Sequence, residues 1–240
     1  MLSASALVGF AMARQPINSR FSEPSLGFGP GFLAQRPKAA ALIAQCITTW
    51  TEVELQTARL LAAMWNANSE PVVALYLSLA NARAKREALD AIASFVFSGE
   101  QTTLYEAVMR AKQSIEKQRV DLAHGLFGIV SEDPEGVVMI STTNRLKHML
   151  DIDIKRTSIG VTADDFHTIR DLTFHYTIND LETILCETQH IHNIIMRFSG
   201  YAVMVINRLN GAELLFQTLL NEPLVQRFLF PSASSPKNGT

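Results

Sequence analysis

Residues 116–128 read EKQRVDLAHGLFG, and this stretch decides how the chain is organised. It carries the last turns of an apolar helical pattern and ends at Gly125, a residue type that commonly terminates helices. After the glycine the pattern changes to LFGIVS, a short aliphatic run that is typical of a strand. The stretch therefore predicts a junction between a long helix and a strand. Arg119 and His124 lie on the helical side of this junction.

Three apolar stripes at helical spacing lead up to the junction. They run over residues 42–64, 71–96 and 104–122. The turn-rich NANSEP and a glycine at position 99 separate them. Because long helices joined by short connections pack as antiparallel neighbours, we expect Trp50, Leu79 and Ile115 to share one core.

Beyond the junction the chain predicts a small sheet and then more helix. LFGIVS and GVVMIST, separated by EDPE, are typical of a hairpin, and FHYT near residue 175 is a further candidate strand. A fourth long helix is expected from about Asn179, and a short helix over 211–228 is interrupted by Pro223. The predicted fold is mainly α: an antiparallel helical bundle with a small β hairpin or meander between the third and fourth long helices.

Composition predicts three parts along the chain. Residues 1–37 are dense in Gly and Pro and predict a flexible arm. Residues 38–230 carry the helical domain, and the final segment, 231–240, has the composition of a disordered tail. The 48% hydrophobic content of the 240 residues is enough for a sizeable core.

The charge and the cysteines narrow the class of protein. A net charge of −2 gives the whole chain no preference for nucleic acid or membrane. Two cysteines without CxxC spacing favour a reducing, intracellular setting. No apolar run has the length of a membrane span, so we expect a cytoplasmic protein. Cys186 and His190 have helical ligand spacing, but no third ligand matches, so neither a metal nor another cofactor is predicted.

The segment RVDLAHG fits the pattern R-x4-H and resembles the HEPN superfamily of helical domains, many of which are metal-independent ribonucleases. The AHG ending on the third of several long helices is similar to the RN-x-x-AHG form of this group, and the resemblance covers about residues 38–206. It implies Arg119 and His124 as catalytic residues with Asp121 in support. The family usually has Asn, Asp or His after the arginine, whereas this chain has Val120. The resemblance also implies a toxin or defence role, a homodimer that completes the site, and an antitoxin or defence protein as partner.

A second R-x4-H match, RDLTFH, joins Arg170 to His175. We favour the first match because it ends a long amphipathic helix and carries AHG, whereas the second falls where the helical period is weak. The second pair is therefore expected apart from the first, on strand or loop.

Metal-free RNA cleavage requires a base for the 2′-OH proton, an acid for the leaving 5′-oxygen and positive charge on the phosphorane. The imidazole of His124 could serve as the base or the acid, and the fork of Arg119 could hold the phosphate. Further cations that could line an RNA groove lie on the second and third predicted helices. They are Arg83, Lys85, Arg86, Lys112 and Lys117.

Each functional interpretation has a structural alternative. Arg119 could pair with Glu116 or Asp121 while His124 interacts with the helix dipole, and the other cations could form a solvated helix face. In that case the chain would be a non-catalytic HEPN-like module that binds a partner or a nucleotide.

Overall fold

The computed structural model describes residues 15–29, 31–158 and 169–230. It is mainly helical with a five-stranded antiparallel sheet, which confirms the predicted class. The chain divides into two compact units, each made of two segments. The first unit consists of residues 1–47 and 118–186, and the second of residues 48–117 and 187–240. The predicted tail over 231–240 and the first part of the predicted arm lie outside the described residues.

The helices and strands of the described residues have the following bounds. The α-helices that lie wholly within the described residues are α1 (Pro37–Trp65), α2 (Ser69–Ser78), α3 (Ala82–Val96), α4 (Glu100–His124), α5 (Thr142–Ser158), α6 (Ile178–Ile206), α7 (Ala212–Leu220) and α8 (Pro223–Leu229). The strands are β1 (Gln15–Pro16), β2 (Leu26–Phe28), β3 (Gly125–Val130), β4 (Asp133–Ser141) and β5 (Thr173–Tyr176). The hairpin of β3 and β4 follows α4, as the sequence predicts.

The prediction of one helix over residues 71–96 is wrong, because the segment forms α2 and α3. Leu79 has extended backbone at the end of α2, and the side chain of Asn81 accepts a 2.8 Å hydrogen bond from the amide of Ala84 at the start of α3. A capping asparagine satisfies an amide that would otherwise lack a partner in a helix's first turn, and this favours a new start there. Arg83, Lys85 and Arg86 therefore lie in the first turns of a separate helix.

The first unit contains the whole sheet, in the order β1-β5-β4-β3-β2. Both outer strands come from the segment predicted as an arm, since β1 pairs with β5 and β2 pairs with β3. Ile17, which follows β1, is completely buried. Residues 15–16 and 26–28 of the predicted arm are thus strands of the sheet.

Both faces of the central strand β4 are covered within this unit. Val137 and Met139 pack with apolar residues of the helices, among them Leu122 of α4. Val138 points to the opposite face and packs with Ile17 and Val130. This alternation follows from the two-residue period of a strand, and it explains why GVVMIS is apolar at consecutive positions.

The second unit is helical and has one large core. Trp50 and Ile115 are buried together in it, as predicted. Leu79 is only half-buried and lies outside this core, so that part of the prediction is wrong. An aromatic cluster fills the centre of the core, and each fully buried side chain of this size contributes roughly 1.5–3 kcal/mol to stability. It comprises Phe97, Tyr105, Phe198, Tyr201 and Phe216.

Candidate functional site

The junction between α4 and β3 leaves no room for a side chain at Gly125. A Cβ atom there would lie 2.3 Å from Cγ of Met139 and 2.8 Å from the carbonyl oxygen of Asp121. The helix therefore passes directly into the strand, with no connecting residues between His124 and Gly125. Close approach of the neighbouring strand explains the glycine of the AHG sequence.

A hydrogen bond fixes the main chain of His124 at this junction. The hydroxyl of Thr142, the first residue of α5, donates to the carbonyl oxygen of His124 at 2.6 Å. The last carbonyls of a helix lack partners within the helix, so this contact satisfies one of them. The imidazole of His124 is exposed and, among the described residues, forms no side-chain hydrogen bond.

Arg119 is half-buried, one to two turns before the end of α4. Its Nε atom is fully buried and has no hydrogen-bond partner among the residues that the structure describes. Neither Glu116 nor Asp121 pairs with it, and Glu116 instead lies 3.6 Å from the ammonium of Lys112. A buried, unsatisfied N–H on a guanidinium is costly, and an anion at this position would satisfy it.

The remaining residues around the pair are less informative. Asp121 is half-buried, and the exposed fraction of Val120 is 42%. Val120 thus presents an apolar side chain to solvent at the position where the HEPN pattern has a polar one. The ring of His124 forms no hydrogen bond or ion pair in the part of the chain that the structure describes.

The histidine of the second R-x4-H match is buried in the sheet of the first unit, among partly buried charged side chains. His175 lies on β5 and is 1% exposed, while Arg170 lies in a helical turn before the strand. Nδ1 of His175 accepts from the guanidinium of Arg20 at 3.2 Å, and Nε2 lies 3.0 Å from Oδ2 of Asp133. Arg20 also donates to Asp180 at 3.0 Å, so the cluster fastens the segment after β1 to the sheet.

The surroundings of His175 keep it neutral. Burial lowers its pKa below the ordinary 6.5, and the nearby Arg20 guanidinium acts in the same direction, whereas Asp133 opposes them. The edge of the Phe21 ring packs on the imidazole with 5.1 Å between the ring centroids. Nδ1 thus has a hydrogen-bond partner, whereas Nε2 is buried beside the Asp133 carboxylate without the geometry of a hydrogen bond.

Four of the five predicted RNA-binding cations are paired with carboxylates in the second unit. Arg83 contacts Glu87 at 2.7 Å and Arg86 contacts Asp90 at 2.6 Å, each one turn along α3. The first pair is exposed and leaves Arg83 accessible, since such pairs contribute little energy. The second is more constrained, because Asp90 also accepts a 2.6 Å hydrogen bond from the hydroxyl of Tyr105. Lys117 is exposed and has no ion-pair partner in the described part of the chain.

Lys85 and Lys112 are held more firmly by one carboxylate. Glu54 accepts from Lys112 at 2.7 Å and from Lys85 at 2.8 Å. The Lys112 ammonium also lies 4.8 Å from the centre of the Trp50 ring. Burial raises the pKa of Glu54, but the two ammonium groups outweigh it and lower the pKa below its ordinary value. A phosphate contact by Lys112 would require it to leave this buried pair.

No group of three His, Cys, Asp or Glu side chains that could hold a metal ion occurs in the described residues. Nor does any described helix combine the length and apolar character of a membrane span. Sequence reasoning missed Thr142, because nothing in GVVMIST marks its hydroxyl as a cap for a helix that ends 18 residues earlier.

Comparison of the chain with protein-family models, curated proteins and solved structures finds no match.

Proposed function

We propose that this chain is a metal-independent endoribonuclease of the HEPN toxin or defence type, in which Arg119 binds the scissile phosphate and His124 transfers a proton. The observation that supports this most is the buried Nε of Arg119, which lacks a hydrogen-bond partner among the described residues. A phosphate oxygen would supply the missing acceptor and place negative charge against the guanidinium.

The accessibility of His124 fits the same proposal. Its ring is exposed at the last position of α4, while Thr142 fixes its main chain. In the proposed reaction a base removes the proton of the 2′-OH, whose oxygen attacks phosphorus. The bond to the 5′-oxygen breaks, and an acid gives that oxygen a proton. His124 carries out one transfer, and a second subunit supplies the group for the other, as the resemblance implies.

The predicted cations differ in how accessible they are to an RNA phosphate. Lys117, exposed and two residues before Arg119, is the predicted cation best placed to meet a phosphate. Arg83 can exchange its exposed carboxylate for a phosphate, whereas Arg86 packs on Tyr105 and Lys85 and Lys112 are held by Glu54. RNA affinity should therefore depend more on Lys117 than on Lys112.

One observation favours a second function of another class. Within the described residues no side chain orients the imidazole of His124, and the adjacent Val120 offers only an apolar surface. An arginine with an unsatisfied Nε, five residues before a histidine without an orienting hydrogen bond, suits a module that binds a nucleotide or RNA phosphate without cleaving it.

Cleavage of labelled RNA by the purified chain distinguishes the two. The enzyme should produce strands ending in a 2′,3′-cyclic phosphate, at a rate that excess chelator does not change. An all-2′-deoxy analogue, which has no attacking hydroxyl, should bind but stay intact. Binding of both strands without cleavage of either, lost in Arg119→Ala, would support the non-catalytic module. No cleavage and no binding would reject both.

A further inference from the structure

Helix α5 presents four large apolar side chains to solvent. Leu146, Met149, Leu150 and Ile154 are 57%, 48%, 52% and 64% exposed. At about 100° per residue these positions span roughly 140° of the helix surface, and thus form one face. His148, on the other side of the helix, is buried. The apolar face of an amphipathic helix is normally buried against other apolar groups, so we expect another molecule to cover this one.

Two opposite charges border the apolar face. Lys147 and Asp151 are both exposed and lie four positions apart, along one edge of this face. Neither takes part in an ion pair within the described residues, although this spacing allows one inside the helix. The edge therefore offers one free cation and one free anion to whatever covers the face.

We propose that the apolar face of α5 binds the same face of a second copy of this chain, with the two helices antiparallel about a two-fold axis near Met149. Such an axis places Lys147 of one copy opposite Asp151 of the other, because each is two positions from Met149. Two equivalent ion pairs then border an apolar seam that contains Leu146, Leu150 and Ile154 from both copies. A two-fold interface requires this kind of self-complementary surface.

The same charges argue against other occupants. An anionic membrane surface attracts helices whose edges carry only cations, whereas Asp151 would face the lipid headgroups here. The helix has 17 residues and is about 25 Å long, so a pair of such helices forms a small interface. Interfaces of this size give reversible dimers, and we expect an equilibrium in the micromolar range.

The first test measures self-association of the full chain by sedimentation equilibrium at several protein concentrations. Leu150→Glu puts a charge into the seam and should weaken dimerisation by at least about 10-fold. Phe95→Glu is the matched control, because Phe95 is 88% exposed on α3 and lies outside the proposed interface. It should leave the dimerisation constant unchanged.

The second test uses the charges. Lys147→Asp brings like charges together across the axis and should weaken the dimer, and combining it with Asp151→Lys should restore dimerisation to near wild type. Pairing between two copies predicts this restoration of the dimerisation constant. The dimerisation constant does not depend on RNA cleavage. Its outcome therefore tests the interface independently of the proposed enzyme function.

Three results would overturn the proposal. One is a chain that stays monomeric at several hundred micromolar, and another is a dimer that Leu150→Glu leaves intact. The third is a monomer that binds anionic phospholipid vesicles and loses this binding in Leu150→Glu, which would assign the face to a lipid surface.

Discussion

The hydroxyl of Thr142 donates a 2.6 Å hydrogen bond to the carbonyl oxygen of His124 and so joins the start of α5 to the end of α4. Thr142→Val removes the donor while keeping the size of the side chain. Because the contact is exposed, we expect a loss of about 0.5–1.5 kcal/mol in the free energy of unfolding. Thr142→Ser keeps the hydroxyl and should retain most of it. Urea titration of the three proteins checks this, and equal losses in both variants would contradict it.

Gly125→Ala should be more damaging. Its Cβ would lie 2.3 Å from Cγ of Met139 and against the carbonyl of Asp121, so strand or helix has to move. We expect destabilisation of about 1–3 kcal/mol, the usual scale of an overpacked site. Gly31→Ala is the control, since nothing lies within 4 Å of the added Cβ there. Thermal unfolding of both variants tests the difference, and a Gly125→Ala protein as stable as the control would refute the close approach.

His175 predicts how stability depends on pH. Burial and Arg20 lower its pKa below the ordinary 6.5, so the unfolded chain binds a proton that the folded protein excludes. Stability is therefore retained above about pH 6.5 and falls as the pH drops below it, by at most about 1.4 kcal/mol per pH unit for one proton. Urea titrations between about pH 5 and 7.5 should show this slope.

His175→Gln should flatten that slope, because glutamine does not titrate, although the variant loses some stability at every pH. His124→Gln changes an exposed histidine and should keep the slope of the wild type. An unchanged slope in His175→Gln would show that other groups cause the dependence.

The ion pairs of Glu54 should contribute more to the free energy of unfolding than an exposed ion pair does. Glu54→Gln leaves the ammonium groups of Lys85 and Lys112 without their shared carboxylate, and Lys112 is buried. Breaking such a pair from one side costs about 3 kcal/mol or more. Arg83→Gln breaks a pair whose arginine is 88% exposed and should cost less than about 0.5 kcal/mol. Chemical denaturation of both variants measures the contrast, which comparable losses would contradict.

The elements that sequence reasoning predicted are those with local signals. The apolar stripes through Trp50 and Ile115 repeat at helical spacing and are buried as expected. The stripe through Leu79 also fits that spacing, but the capping side chain of Asn81 starts a new helix there. A local polar contact thus outweighed a periodic apolar pattern.

Contacts between distant residues gave no such signal. The pairing of Gln15 with His175 places part of the predicted arm in the sheet. The local sequence around neither residue indicates that these two segments pair. The pairing of Lys112 with Glu54, 58 residues away, likewise turns a predicted RNA-binding cation into part of a buried ion pair. In the candidate site, spacing identified Arg119 and His124, but only the structure reveals the unsatisfied Nε of Arg119.

The most direct test of the proposed function is the single-turnover rate of RNA cleavage by wild-type protein and by His124→Ala. His192→Ala, which removes a half-buried histidine outside the proposed site, is the matched control. If His124 transfers a proton, its loss should lower the rate by roughly 10²–10⁴-fold, with the free energy of unfolding changed by no more than about 1 kcal/mol. His192→Ala should cleave at nearly the wild-type rate. Equal rates for wild type and a folded His124→Ala protein would contradict the proposal.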